Sequence, residues 1–136
     1  MLVVALMIVI CLPVSSFSVV RIRDAYLLKL TAWQLVTRIR QAKIEALESG
    51  KEIRLFFDTS GNRVLYKGKS GKTEIIGFPK SVILYTTNFP SNTLFFYAAG
   101  TPSSGGTVTI RLGAQRRYII VTPVTGRVRF SEKPPS

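Results

Sequence analysis

The chain contains no histidine and only one cysteine among its 136 residues. Without histidine it lacks the commonest general base and the commonest metal ligand. A single cysteine, Cys11, excludes an intramolecular disulfide and leaves the redox compartment unread. The two shortages together argue against a zinc site. Cys11 lies in an apolar run, which suits a small packing residue better than a reactive thiol. Acidic residues are scarce too, seven against 19 Lys and Arg, for a net charge of +12. They are scattered, and most have a basic residue nearby in sequence. Surface pairing is their default, and a catalytic pair of carboxylates has no support. The expectation is a protein that is not an enzyme and takes no cofactor and no metal.

Charge of either sign is missing altogether from residues 1–20. At 1.5 Å of rise per residue, 20 helical residues reach about 30 Å, the depth of a bilayer's hydrocarbon core. Leu2, Val3, Val4, Leu6, Ile8, Val9, Ile10 and Leu12 are expected to form a membrane or filament-core helix. Pro13 belongs to the same span, since membrane helices tolerate proline with a kink. Removal as a signal peptide is the alternative. Val14-Ser15-Ser16 resembles a cleavage site, but nothing basic precedes Leu2. Residues 21–50 then carry six basic and three acidic residues around an apolar stripe of Leu28, Ala32, Leu35, Val36, Ile39, Ala42 and Ala46. Steps of three and four mark one face of a helix packed on something. Gly50 is its natural stop.

After Gly50 the apolar period falls to two. Strands are expected over residues 52–57, 63–67, 73–78, 81–87, 93–97, 107–112, 117–122 and 127–130. The segments between them are rich in Gly, Asn, Asp, Ser and Pro. Residues 99–106 look the most flexible, and residues 131–136, with two prolines, should fray. Short strands with short connections argue for an antiparallel meander rather than parallel βαβ units. The expected fold is therefore α+β. A long N-terminal helix, membrane span (1–20) then amphipathic half (21–50), packs on a small antiparallel sheet (51–130), followed by a tail (131–136).

Two motifs are decoys. Gly71-Lys72-Thr73 matches the end of a phosphate-binding P-loop, but Tyr66 stands where the first glycine belongs and a strand follows where a helix should open. The turn at residues 58–62 lacks the alternating oxygen ligands of a calcium loop. Aromatics are concentrated in or beside the strands: Phe56, Phe57, Tyr66, Phe78, Tyr85, Phe89, Phe95, Phe96 and Tyr97. Core filling is favoured over base stacking for them. If the last three strands are neighbours, several of Arg111, Arg116, Arg117, Arg127 and Arg129 would form one basic patch. Phosphate contact and plain solubility both fit that patch, solubility slightly ahead.

Taken in order, the segments resemble a type IV pilin-like protein, a minor pseudopilin of the general-secretion H type or the competence D type. Residues 1–12 resemble the apolar run after the prepilin processing motif. Residues 38–46, Arg-Ile-Arg-Gln-Ala-Lys-Ile-Glu-Ala, resemble the end of the pilin helix. Phe57-Asp58 with Gly61-Asn62, then Phe95, Gly100, Gly105, Gly106 and Thr107, then Ile120, Thr125, Gly126 and Arg127 within residues 118–128 follow the family's later pattern. The family's basic leader, cleavage-site glycine, Phe-Thr-Leu and glutamate have no counterpart, and Met1 falls where the residue after that glutamate sits. An upstream start fits the register better than a copy without the signal, and would make prepilin peptidase a partner. By the positive-inside rule Arg21 and Arg23 alone would leave the C-terminal part in the cytoplasm; an upstream basic leader reverses this.

The resemblance implies a single-pass inner-membrane protein with its β head outside the cytoplasm, later part of a periplasmic or cell-surface pseudopilus. Its partners would be the membrane and other pilin-like subunits bound through the helix. The first expected function is a structural subunit of a pseudopilus for DNA uptake in competence, with non-specific DNA contact. The alternatives are type II protein secretion or a type IV pilus, and, from another class, a membrane-anchored binding protein that never polymerises.

Overall fold

A computed structural model describes the backbone of residues 2–135 and the side chains of residues 20–135. One helix, α1, runs Leu2–Ser49. It stops where expected. Gly50 takes φ +66° and donates its N–H to the Ala46 carbonyl at 3.0 Å, the left-handed cap that only glycine adopts without strain. All seven residues of the apolar stripe, from Leu28 to Ala46, are buried. Three are alanines, which lets the helix axis approach the strands, while each buried Leu, Val or Ile contributes about 2 kcal/mol. The expected membrane span, with Leu2, Val3, Val4, Leu6, Ile8, Val9, Ile10, Leu12 and Pro13, lies outside the described side chains. Among the described residues no helix is long and apolar enough to cross a membrane.

Eight strands follow: β1 Ile53–Asp58, β2 Arg63–Lys67, β3 Thr73–Gly77, β4 Ile83–Thr87, β5 Thr93–Phe96, β6 Gly106–Leu112, β7 Gln115–Val121 and β8 Val128–Ser131. They form two four-stranded antiparallel sheets, ordered β3-β2-β1-β5 and β4-β6-β7-β8. The simple meander is broken at three successive connections, β3–β4, β4–β5 and β5–β6, each of which crosses between the sheets. β4 leaves the first sheet to pair with β6, and β5 returns to the far side of β1. Inner faces of both sheets and the stripe of α1 close over one core, with Phe57, Phe96, Leu55, Leu94, Ile110 and Ile119 fully buried.

Polar pairs fasten the helix at several points along its length. Arg40 donates to the Val128 carbonyl at 2.9 Å and Lys43 to the Thr125 carbonyl at 2.8 Å, holding the β7–β8 side. Arg38 pairs with Glu74 of β3 at 2.7 Å on the other flank. Glu45 accepts from the Lys69 amide at 2.7 Å and from the Tyr66 hydroxyl. Gly68 makes this approach possible, because a Cβ there would stand 2.8 Å from a Glu45 carboxylate oxygen.

These bonds make Glu45 a source of acid sensitivity. The Lys69 amide first, then the Tyr66 hydroxyl, hold its carboxyl below the ordinary glutamate range. Burial and the neighbouring carboxylate push the Tyr66 phenol up. A depressed folded pKa stabilises fully above the unfolded value and is lost as pH falls through the folded one. Glu45→Gln should therefore lower the melting temperature at pH 6, and the gap to the parent should close as pH falls below the ordinary glutamate range. A gap that stays constant across that range would mean the carboxylate's charge is irrelevant.

Residues 99–106 are pinned rather than loose. Ser103 N–H reaches the Phe95 carbonyl at 2.7 Å, Tyr97 N–H the Thr101 carbonyl at 2.9 Å, and Pro102 bridges to Phe96. The segment covers the outer edge of β5, which would otherwise present an open row of backbone groups. Gly, Ser and Pro serve its tight path. A Cβ on Gly106 would strike Phe89 at 2.7 Å.

Candidate functional site

The five candidate arginines sort by strand alternation. β6 and β7 put Val108, Ile110, Ile119 and Val121 on the core side. Arg111 pairs directly with Arg116, so both stand on the outer face. In β8, Arg129 pairs with Ile120 and is exposed on that same face. Arg127 is exposed at its rim, in the turn where the Thr122 N–H bonds its carbonyl at 2.9 Å.

Arg117 does not join them. It pairs with Ile110 and so points to the core side, its side chain 14% exposed. One of its guanidinium nitrogens donates to the Arg116 carbonyl at 2.7 Å. Its Nε is buried without a hydrogen-bond partner, 4.0 Å from Glu132. As part of a shared patch Arg117 is therefore corrected: consecutive strand residues face opposite ways, and Arg116-Arg117 cannot act as a pair.

Arg111 and Arg116 share one aromatic ring. Their guanidinium carbons lie 4.6 and 4.7 Å from the centre of the Tyr85 ring. Like charges directly opposite on neighbouring strands repel, and the negative ring face offsets part of that repulsion. Tyr85 follows Leu84, which pairs with Ile110 on the core side, so alternation turns it outward beside them. Core filling thus describes only some of the aromatics. Phe57, Tyr66, Phe89 and Phe96 are buried, whereas Phe56, Tyr85 and Tyr97 are exposed. Composition could not divide them, since the division follows strand parity.

The outer face is one-sided in charge. The ion pairs among the described residues are Arg38–Glu74, Arg54–Glu52, Arg63–Asp58 and Arg117–Glu132. None involves Arg111, Arg116, Arg127 or Arg129. A cationic face without carboxylates suits a polyanion.

The two decoys have structural tasks. The glycine-lysine turn joins two strands, β2 and β3, and its Lys69 amide is taken by Glu45. In the other turn the Asp58 carboxylate accepts from the Gly61 amide at 2.9 Å, Ser60 and Arg63, which together hold it below its ordinary pKa.

Residues 31–126 match the model of a family described as Type II transport protein GspH. The chain belongs to that family, as a pilin-like minor pseudopilin. Solved relatives share the fold. The minor pseudopilin EpsH from the type 2 secretion system of Vibrio cholerae superposes with TM-score 0.62 at 16% identity, covering 76% of this chain and 95% of that one. A second EpsH crystal structure gives 0.61 at 15%, covering 81% and 96%. The type IV minor pilin FimU of Pseudomonas aeruginosa gives 0.61 at 20%, covering 79% and 90%. No curated protein matches by sequence. The motif residues of this pseudopilin now have a physical reading. Asn62 links its two sheets, and Gly126, at φ +67°, lies where a Cβ would crowd Phe96 and Pro102 at 3.3 Å.

Proposed function

We propose that this pseudopilin is a membrane-anchored subunit of a DNA-uptake pseudopilus, and that it touches DNA through Arg127 and Arg129. The uncharged residues 1–20 supply the anchor, and the head stands outside the cytoplasm. Other pilin-like subunits pack against the helix, and prepilin peptidase acts on it where a leader precedes Met1. The carrying observation is the pair of exposed arginines at the β7–β8 turn, free of carboxylate partners among the described residues. They lie near the part of α1 that Arg40 and Lys43 fasten, far from the uncharged stretch.

DNA held by two such contacts should bind weakly and without sequence preference. Each neutralised phosphate releases counterions, so log K against log salt should have a slope of about −2. Arg127→Ala with Arg129→Ala should bring the slope close to zero and leave unfolding unchanged, as exposed substitutions cost little. The measurement is a fluorescence-anisotropy titration of labelled duplex with the full chain in detergent, at several salt concentrations. Binding that survives the double substitution unaltered would sink the DNA contact.

Protein secretion is the second reading. It is favoured by the description of the matched family and by the two EpsH structures. It predicts no duplex binding even at low salt, with secretion genes rather than a DNA-uptake channel beside this one.

A further inference from the structure

The Arg111–Arg116–Tyr85 cluster lies at the opposite end of the head from the proposed DNA contact. The β6–β7 turn, at Gly113 and Ala114, faces Arg21, Ile22, Asp24 and Ala25 of α1 across an open groove of about 580 Å³. These helix residues come directly after Val20, where the uncharged stretch ends. The β7–β8 turn, by contrast, is bonded to Lys43. About 20 helical residues separate the two attachments, or roughly 30 Å along the axis. If the uncharged stretch fills the hydrocarbon core, the β6–β7 turn stands at the level of the lipid headgroups and the β7–β8 turn well above it.

We propose that Arg111 and Arg116 bind the phosphates of anionic phospholipids and seat the head on the bilayer; this rests on the anchoring part of the reading above. Three observations carry it. The two guanidinium groups are adjacent, share the Tyr85 ring and have no carboxylate partner among the described residues. At the same end of the sheet, on the α1 side, the groove has the apolar Ile22, Ala25, Leu112 and Ala114 in its wall. At this end of the head Arg21, Arg23, Arg111 and Arg116 outnumber Asp24, the one carboxylate in the groove's wall. Basic residues beside an anchor attract an anionic surface, and a tyrosine at that depth is at home in the interface. While the subunit remains in the membrane, headgroups occupy this end of the face and leave Arg127 and Arg129 for other anions.

The test uses the full chain reconstituted into vesicles with the head outside. One set is pure phosphatidylcholine, and the other contains about a third phosphatidylglycerol. Hydrogen exchange is followed at the amides of residues 112–116 and of residues 124–127. Anionic lipid should slow exchange at the first segment by about tenfold and leave the second unchanged. Arg111→Gln with Arg116→Gln should remove the difference. Equal exchange in both vesicles, from a chain that floats with both, overturns this inference alone. A chain that floats with neither overturns the anchoring reading and this one with it. Protection of the β6–β7 turn on neutral vesicles by millimolar inorganic phosphate, or by duplex DNA, assigns the cluster to a free anion or to nucleic acid and overturns the lipid assignment.

Discussion

Phe57→Ala should cost this pseudopilin about 3–5 kcal/mol of folding stability. Phe57 is fully buried on the inner face of β1. Its ring stacks on Phe89, centroids 5.6 Å apart and planes 13° from parallel. Phe89 precedes the short 3-10 turn Pro90–Asn92 that carries the chain from β4 back to β5. The ring therefore sits where the chain passes from one sheet to the other. Truncation removes its transfer free energy and its stacking partner, and leaves a cavity that two sheets and a helix cannot easily close. A small domain has a net stability of about 5–15 kcal/mol, so this loss is a large share. Urea unfolding followed by circular dichroism at constant slope measures it. A loss below about 1 kcal/mol would show that the site collapses freely, and that the core is less tightly closed than the burial implies.

Asn62→Ala should cost about 3 kcal/mol, from a position that is neither apolar nor central. The Asn62 side chain donates from Nδ2 to the Val82 carbonyl at 3.0 Å and accepts the Leu84 N–H at 2.7 Å. It thereby ties the β1–β2 turn of one sheet to the start of β4 in the other. Alanine leaves a donor and an acceptor on the β4 backbone without these partners, about 1–3 kcal/mol for each that stays dry. Asn62 also has φ +52°, where alanine is strained by about 1 kcal/mol and asparagine is tolerated. Asn62→Gly separates the effects, since it relieves the backbone but loses the link. Glycine should recover about 1 kcal/mol of the alanine loss and no more. Full recovery by glycine would mean that backbone strain alone makes the residue matter and that the link between sheets contributes nothing.

The sequence by itself determined the elements of this protein. The stripe from Leu28 to Ala46, the stop at Gly50, and eight strands within one or two residues of their observed ends depend on local periods and on turn chemistry. These are properties of neighbouring residues and need no partner. What the tertiary structure decided was the pairing. Nothing local to β4 says that it abandons β3 for β6, because the choice depends on residues more than 20 positions away. The same holds for Glu45, whose partners Tyr66 and Lys69 belong to a distant hairpin, and for residues 99–106, whose flexible composition is overruled by the edge of β5. The Arg117 correction lies between the two. Ile119 and Val121 share its parity, so alternation already pointed it inward. Yet a strand with polar and apolar residues on both parities leaves its inner face undeclared, and only packing against α1 resolved which arginines face outward.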